Sequence, residues 1–219
     1  VITFNEPAGS VYGDPDFVLS ATSTSGLPVT CTSGNEGVAT VEDNSVHITG
    51  AGSAVITASQ EGNANYLPAI EVSHTLVVEK AAQTISFDPI AVQTYGDSDI
   101  DPMATASSGL SVSYTSSNTD VAVVSGGLIR IMGAGSAEIT ASQAGNSNYN
   151  HAPEAVQVLT VEKADQSVTF TSIDPVVYGA TPFIPEAVAT SGLPVSFSSD
   201  NTAVAEIVNG YVTVRGAVT

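Results

Sequence analysis

Short runs in which apolar and polar residues alternate recur along the whole chain. The apolar pair Leu76 and Val78 returns as Leu159 and Val161, and Val77 between the first pair becomes Thr160 in the second. A period of two is typical of an antiparallel strand with one buried and one solvated face. Further runs rich in Val, Ile and Thr, bounded by Gly or Asn, predict strands at 2–4, 17–21, 29–32, 38–41, 46–48, 55–59 and 139–142.

The alternating runs belong to a repeat with a strict spacing of 83 residues. Tyr12-Gly13 recurs at Tyr95-Gly96 and at Tyr178-Gly179 without insertion or deletion. The other recurring motifs are Ser-Gly-Leu (25–27, 108–110, 191–193), Gly-Ala-Gly-Ser-Ala (50–54, 133–137), Asn-x-Asn-Tyr (63–66, 146–149) and Val-Glu-Lys (78–80, 161–163). About seven short strands per unit, with turn signals every 8–12 residues, predict an Ig-like sandwich. A solenoid competes with this interpretation, although the unit is long for one.

The repeat divides the chain into three predicted domains: 1–82, 83–165 and a truncated third at 166–219. Thr219 aligns with Ser53, so roughly the last third of the third copy falls outside the sequence. We therefore expect the chain to be a part of a longer array. If the third copy ended at Thr219, it would expose a strand edge that another chain could complete by strand addition, but truncation of the sequence is the explanation that we favour.

The joints between copies are short. Residues 79–83 and 162–166 contain neither Gly nor Pro, unlike flexible Gly/Ser linkers. We expect the last strand of one copy to run almost directly into the first strand of the next. The predicted fold is therefore all-β, with tandem Ig-like β-sandwich domains in an elongated, fairly stiff rod.

Composition excludes several kinds of partner. Four basic residues stand against 22 acidic ones, which gives a net charge of −18 that repels phosphate backbones and anionic lipids. No apolar run approaches the roughly 20 residues that span a bilayer, so we expect no membrane insertion within this segment. Cys31 is the single cysteine and cannot form an intrachain disulfide.

Candidate catalytic and metal-binding side chains do not follow the repeat. His47, His74 and His151 occupy three unrelated repeat positions, which argues against a shared catalytic or metal site. Cys31 stands where Tyr114 and Phe197 stand in the other copies, so we interpret it as a small buried hydrophobic residue. The hydroxyl-rich runs lack a Gly-x-Ser-x-Gly elbow or a phosphate loop. We predict no enzyme activity, no catalytic residues and no cofactor.

Calcium is the ion that the sequence leaves open. Asp14 and Asp16 recur as Asp97 and Asp99, and carboxylates clustered in a turn suit a hard cation. Turn formation and solvation explain the same residues, and we favour this interpretation. The third copy lacks the first two aspartates, and the chain has no EF-hand pattern, so no metal site is assigned.

Most aromatic residues follow the repeat and are interpreted as core. The equivalent sets are Phe4, Phe87 and Phe170; Tyr12, Tyr95 and Tyr178; Tyr66 and Tyr149; and Phe17 with Phe183. The tyrosines of the Asn-x-Asn-Tyr loops are expected to pack inward, with the hydroxyl on a backbone partner. The glycines at 50, 52, 133 and 135 should supply positive φ or close approach in a tight turn. Tyr211 and Asp101 break the repeat and are the places to look for a binding site.

The combination of motifs resembles the MBG domain of the Tyr-Gly-x type. The resemblance rests on Tyr-Gly-Asp, Ser-Gly-Leu-Pro-Val, Gly-Ala-Gly-x-Ala-x-Ile-Thr-Ala-Ser-Gln and Gly-Asn-x-Asn-Tyr, and it covers nearly the whole chain. Cys31 and Ala180 depart from the pattern. The family implies Ig-like, Gly-rich β repeats of large bacterial surface proteins and adhesins, and it has no catalytic residues to transfer.

Two hypotheses about function follow. The first is a non-catalytic stalk or spacer of a bacterial cell-surface adhesin or filament protein, located outside the cell. Its partners would be the adjacent repeats of the same chain, like chains in a filament, or a surface ligand, and not nucleic acid. The alternative is a ligand-binding module in which one copy recognises a glycan or a protein.

Overall fold

The computed structural model describes residues 1–217, and these residues contain strands and no helix. None of them therefore forms a helix that is long and apolar enough to cross a membrane. The first copy holds β1 (Ile2–Phe4), β2 (Ser10–Val11), β3 (Phe17–Val18), β4 (Ala21–Ser23), β5 (Thr30–Ser33), β6 (Ala39–Glu42), β7 (Ser45–Ile48), β8 (Gly52–Ser59) and β9 (Val72–Glu79).

The second copy repeats this order with eight strands. They are β10 (Ile85–Ser86), β11 (Gln93–Thr94), β12 (Thr105–Ala106), β13 (Ser113–Ser116), β14 (Ala122–Ser125), β15 (Leu128–Ile131), β16 (Gly135–Ser142) and β17 (Ala155–Glu162). The third copy holds β18 (Val168–Phe170), β19 (Ala187–Ala189), β20 (Ala205–Val208) and β21 (Tyr211–Val214).

Each of the first two copies is a sandwich of two sheet layers. In the first copy, one layer has the order β2-β9-β8-β5, with β2 parallel to β9 and the other pairs antiparallel. The other layer is made of β1 paired with β4 and of β3-β7-β6. Since β3 and β4 are two parts of one strand, this layer has the order of the four-stranded sheet of an Ig domain. The predicted all-β fold of Ig-like repeats is confirmed.

The first copy has nine strands where about seven were expected, because two of the expected strands are each split in two. The first strand splits into β1 and β2, which pair with different layers, and Pro7 between them has no N–H to donate to a ladder. The predicted strand 17–21 splits into β3 and β4. Leu19, at the break, donates its backbone N–H to Asn44 O over 2.8 Å.

The core of each of the first two copies lies between its two layers. The largest fully buried side chains are Val46, Ile56 and Leu76 in the first copy and Ile129, Ile139 and Leu159 in the second. Leu76 and Val78 are buried while Val77 between them is half exposed, which confirms the predicted alternation. The separate hydrophobic clusters run from Ile2 to Val78 and from Phe87 to Val161.

Chain contacts divide the protein into two compact units, Val1–Glu162 and Lys163–Thr219. The first unit contains the first two copies with their two cores, and the second contains the third copy. The finer domain boundaries at 82/83 and 165/166 stay a prediction.

The third copy, taken by itself, forms one of the two layers. Pairs β18–β19 and β20–β21 are present, and an isolated bridge joins Phe183 to Val212. Segments 176–177 and 196–199, equivalent to β2 and β5, are not strands, because the described residues of this copy hold no counterparts of β8 and β9 with which they would pair. Phe170 is accordingly 55% exposed, whereas its equivalent Phe4 is 6% exposed.

Candidate functional site

The contact between the first and second copies is the most elaborate polar arrangement of the first unit. A loop of the second copy, residues 145–150, turns back onto the first copy. It meets the turn at Tyr12, the Gly-Ala-Gly turn at 50–52 and the joint at 80–83. We call this arrangement the junction, and residues 145–150 the docking loop.

Hydrogen bonds within the docking loop define its shape. Asn146 Oδ1 accepts from the backbone N–H groups of Asn148 at 2.8 Å and Tyr149 at 2.9 Å. Gly145 has φ of +78°, and a Cβ there would collide with the carbonyl oxygen of Tyr149. This combination explains the Gly-Asn-x-Asn-Tyr motif: the glycine permits the turn and the first asparagine closes it.

The second asparagine and the tyrosine of the loop are directed at the first copy. Asn148 Oδ1 accepts from the backbone N–H of Ala51 over 3.0 Å. The ring of Tyr149 meets that of Tyr12 edge to face, with centroids 5.4 Å apart and an interplanar angle of 84°. Gly50 has no side chain to separate these surfaces, and a Cβ there would lie 3.4 Å from Asn148 Oδ1.

The docking loop also holds the joint. Ala81 donates its N–H to Asn148 O, and Asn150 donates its N–H to Ala81 O, both over 2.9 Å. Lys80 Nζ donates to Asn146 O at 2.7 Å, and Asn150 Nδ2 donates to Lys80 O at 3.1 Å. The joint is thus paired with the loop like a short strand, in the parallel bridge between Ala81 and Tyr149.

Gln83 closes the junction from the inside. It is a buried polar residue, 3% exposed, and its Nε2 donates to Gln143 Oε1 at 2.5 Å and to Asn150 O at 2.6 Å. Its Oε1 accepts from the hydroxyl of Ser108. A buried amide with its donors and acceptor used fixes the direction in which the chain leaves the joint.

The structure corrects the interpretation of four tyrosines as core residues. Tyr66, Tyr95 and Tyr178 are more than half exposed, and Tyr149 packs on the preceding copy instead of on its own core. The prediction that Tyr66 and Tyr149 pack inward is therefore wrong. Tyr12 and Tyr114 do pack against the cores of their own copies, as predicted.

The phenylalanines at the Phe4 position of the repeat, also expected in the core, are buried in the first two copies and exposed in the third. Phe4, Phe87 and Cys31 are buried, as predicted, while Phe170 is not. Burial raises the pKa of the Cys31 thiol, which keeps it protonated. Asn44 lies beside it, accepting from Cys31 N at 3.0 Å and donating to Val29 O at 3.1 Å, and so satisfies the edge of β5.

The repeated aspartates are engaged in turns and surface ion pairs. Asp14 Oδ2 accepts from Val11 N at 2.8 Å, and Asp97 Oδ2 accepts from Thr94 N at 2.7 Å, which is the turn-forming role that the sequence favoured. The second aspartate of each pair has a side-chain partner on a neighbouring strand. Asp16 Oδ1 lies 2.7 Å from His47 Nδ1, and Asp99 forms an ion pair with Arg130 at 3.5 Å.

The remaining candidate residues lie apart from one another. His74 Nε2 lies 3.0 Å from Phe4 O, and His151 Nδ1 lies 3.2 Å from Ala152 O, far along the chain from His47. Within residues 1–217, no three His, Cys, Asp or Glu side chains group in a way that could hold a metal ion. Asp101 accepts from Met103 N, and Tyr211 is an exposed ring on β21.

Comparison with known proteins adds fold-level likeness only. No family model matches the chain, and no curated protein matches it. Among solved structures, Drosophila N-cadherin EC1-4 is similar over 98% of this chain and 66% of its own length, with 14% identity and a TM-score of 0.31. Domains 1–6 of the surface layer protein SbsC are similar over 97% of this chain and 36% of their own length, with 16% identity and a TM-score of 0.33.

Human mucin-like protocadherin EC1-2 is a further similar structure. The match covers 75% of this chain and 99% of that one, with 10% identity and a TM-score of 0.26. The chain therefore spans no more than about two thirds of the first two structures. The resemblance to MBG domains stays a prediction from the motifs.

Proposed function

We propose that the chain is a structural spacer of a bacterial cell-surface protein, without catalytic activity, in which tandem repeats hold one another at a fixed angle. The junction carries this proposal. Its docking loop, joint and buried Gln83 use the most regularly repeated motifs of the sequence for contact between neighbouring copies. A chain that only needed to fold its domains separately would not require these residues.

The surface suits a spacer. The net charge of −18 makes neighbouring chains repel one another and keeps them soluble. Asp14 and Asp97 accept turn hydrogen bonds, and Asp99 forms an exposed ion pair with Arg130. The motifs that resemble MBG domains support the extracellular location and the stalk or adhesive role.

Small-angle scattering of the full chain tests the proposal. A compact chain of 219 residues would have a radius of gyration of about 17 Å. We expect a clearly larger value together with the scattering profile of a folded, rod-like particle. A radius close to the compact value would refute the spacer function.

The alternative, a ligand-binding module, has one observation in its favour. Tyr211 is exposed and is private to the third copy, as expected of a site that need not obey the repeat. A glycan array probed with the chain and with Tyr211→Ala tests it. Binding that the substitution abolishes would establish a recognition role beside the structural one.

A further inference from the structure

The first copy has a loop equivalent to the docking loop, residues 62–67, whose surface is exposed. Asn63 Oδ1 accepts from Asn65 N at 2.8 Å and from Tyr66 N at 3.1 Å, as Asn146 does in the second copy. Gly62 has φ of +78°, the same as Gly145. The loop is therefore folded in the shape that docks at the junction, yet Tyr66 is 53% exposed.

Two large apolar side chains extend this open surface. Leu67 is 89% exposed and Ile70 is 90% exposed. Leu67 occupies the position of Asn150, whose side chain reaches the joint, and Ile70 occupies that of Pro153. In the docked loop of the second copy the equivalent residues, Asn150 and Pro153, stay exposed, whereas Asn148 and Tyr149 are partly buried. Leu67 and Ile70 therefore border the surface, and Asn65 and Tyr66 form its centre.

We propose that the surface formed by Asn63, Asn65 and Tyr66 is a docking site for the carboxyl-terminal end of another repeat of this kind, joined directly ahead of Val1. The junction shows what this partner presents. It supplies a Tyr-Gly turn for the tyrosine ring, the backbone N–H of a Gly-Ala-Gly turn for the second asparagine, and a Lys-Ala joint for the loop backbone.

The first copy also has the residues that would receive the glutamine of a preceding joint. The pocket that receives Gln83 is lined by Gln143 and Ser108, and their equivalents in the first copy are Gln60 and Ser25. Gln60 is likewise a buried polar side chain. The glutamine that ends the joint of a preceding repeat would complete this set, because Gln83 and Gln166 occupy that position at the other two joints.

The charge near the loop of the first copy suits the lysine of a preceding joint, and the small size of the surface favours a partner in the same chain. Lys80 Nζ donates to Asn146 O, and the equivalent carbonyl of Asn63 lies two residues after Glu61, where the second copy has Ala144. The lysine of a joint thus finds extra negative charge in the first copy. A covalent joint also supplies the high effective concentration that so small a surface needs.

The test compares the full chain with an extended protein in which a copy of residues 1–83 precedes Val1, which keeps the 83-residue register. Nitration of Tyr66 in the original first copy by tetranitromethane, read by mass spectrometry, reports on the surface, and the added copy carries Tyr66→Phe so that the two loops can be told apart. Tyr95 is the matched control, because it is also 53% exposed and lies in the second copy. We expect the extension to slow nitration of Tyr66 severalfold and to leave Tyr95 unchanged, because the equivalent Tyr149 meets Tyr12. Tyr12→Ala in the added copy should restore much of the nitration rate.

Three outcomes would overturn the proposal. The first is equal nitration of Tyr66 with and without the added repeat, once circular dichroism shows that both proteins are folded. The second is equal slowing at Tyr95. The third is self-association of the unextended chain that Tyr66→Ala abolishes, since it would assign the surface to a second copy of the chain.

The inference rests on the tandem arrangement that the proposed spacer function uses, but the two can fail separately. Scattering that shows a rod while Tyr66 stays fully reactive would reject the docking site alone. Protection of Tyr66 in a compact particle would reject the spacer function alone.

Discussion

Replacement of Gln83 by alanine should destabilise the first unit, because it removes the buried centre of the junction. The substitution deletes two bonds donated by Nε2, to Gln143 and to Asn150 O, and one accepted from Ser108. At about 0.5–1.5 kcal/mol for each bond, the loss is about 3 kcal/mol. For a unit of this size that corresponds to a fall of about 6–12 °C in its melting temperature.

The chain contains its own control for this substitution. Gln166 is the equivalent residue in the third copy, where it is exposed and accepts from Ser191. Its replacement by alanine at a solvated position should cost less than about 0.5 kcal/mol. Differential scanning calorimetry of the full chain, with the two substitutions made separately, measures both effects.

A second variant separates hydrogen bonding from packing. Gln83→Glu keeps the volume of the side chain but removes the donor and places a charge in a buried site, so at neutral pH it should destabilise the unit at least as much as alanine. Equal shifts for Gln83→Ala and Gln166→Ala, or a neutral Gln83→Glu, would refute the reasoning that the buried amide holds the junction.

Three further predictions follow from single contacts. Burial raises the pKa of the Cys31 thiol and lowers its thiolate fraction, so a thiol reagent should label the native chain far more slowly than the chain in denaturant, and equal rates would contradict this. A Cβ on Gly133 would lie 2.7 Å from a backbone oxygen, so Gly133→Ala should cost about 1–3 kcal/mol in urea unfolding, whereas Gly9→Ala, with ordinary spacing of 3.8 Å, should be close to neutral. Because Asp14 and Asp97 already accept turn hydrogen bonds, millimolar calcium and a chelator should give the same melting temperature, and a higher value with calcium would reveal a site.

The sequence predicted the interior of a copy better than its ends. Alternation identified Leu76 and Val78 as buried, and the aromatic equivalents of Cys31 identified that residue as core. The predicted roles of the repeated glycines are also confirmed, with φ of +145° at Gly52 and close approach of a backbone oxygen at Gly133. These features depend on neighbours within one copy, and a period of two or a turn motif encodes them directly.

The junction could not be predicted in the same way, because strict repetition does not say whether a residue packs in its own copy or on the next. Tyr66 and Tyr149 end the same Gly-Asn-x-Asn-Tyr motif, yet Tyr66 is exposed and Tyr149 meets Tyr12. One signal was present: Gln83 and Gln166 recur in joints that contain neither Gly nor Pro, where a flexible linker would not need to keep a glutamine. Recurrence inside a linker indicates contact between copies.

The dependence of each copy on its neighbour follows from which strands lie next to which. Segments 176–177 and 196–199 stay irregular while β18 to β21 form, because the missing hairpin is the centre of one layer only. The docking loop likewise depends on a neighbour, because Asn148 and Tyr149 contact the first copy. This contact lies between copies, whereas the strand pairing lies within one layer. In repeat proteins of this kind, stability is a sum of the intrinsic terms of each copy and of the terms at each contact. On the docking proposal, Tyr66 is therefore a residue whose exposure should depend on a neighbouring copy, whereas Ile56 and Leu76 are buried within their own copy.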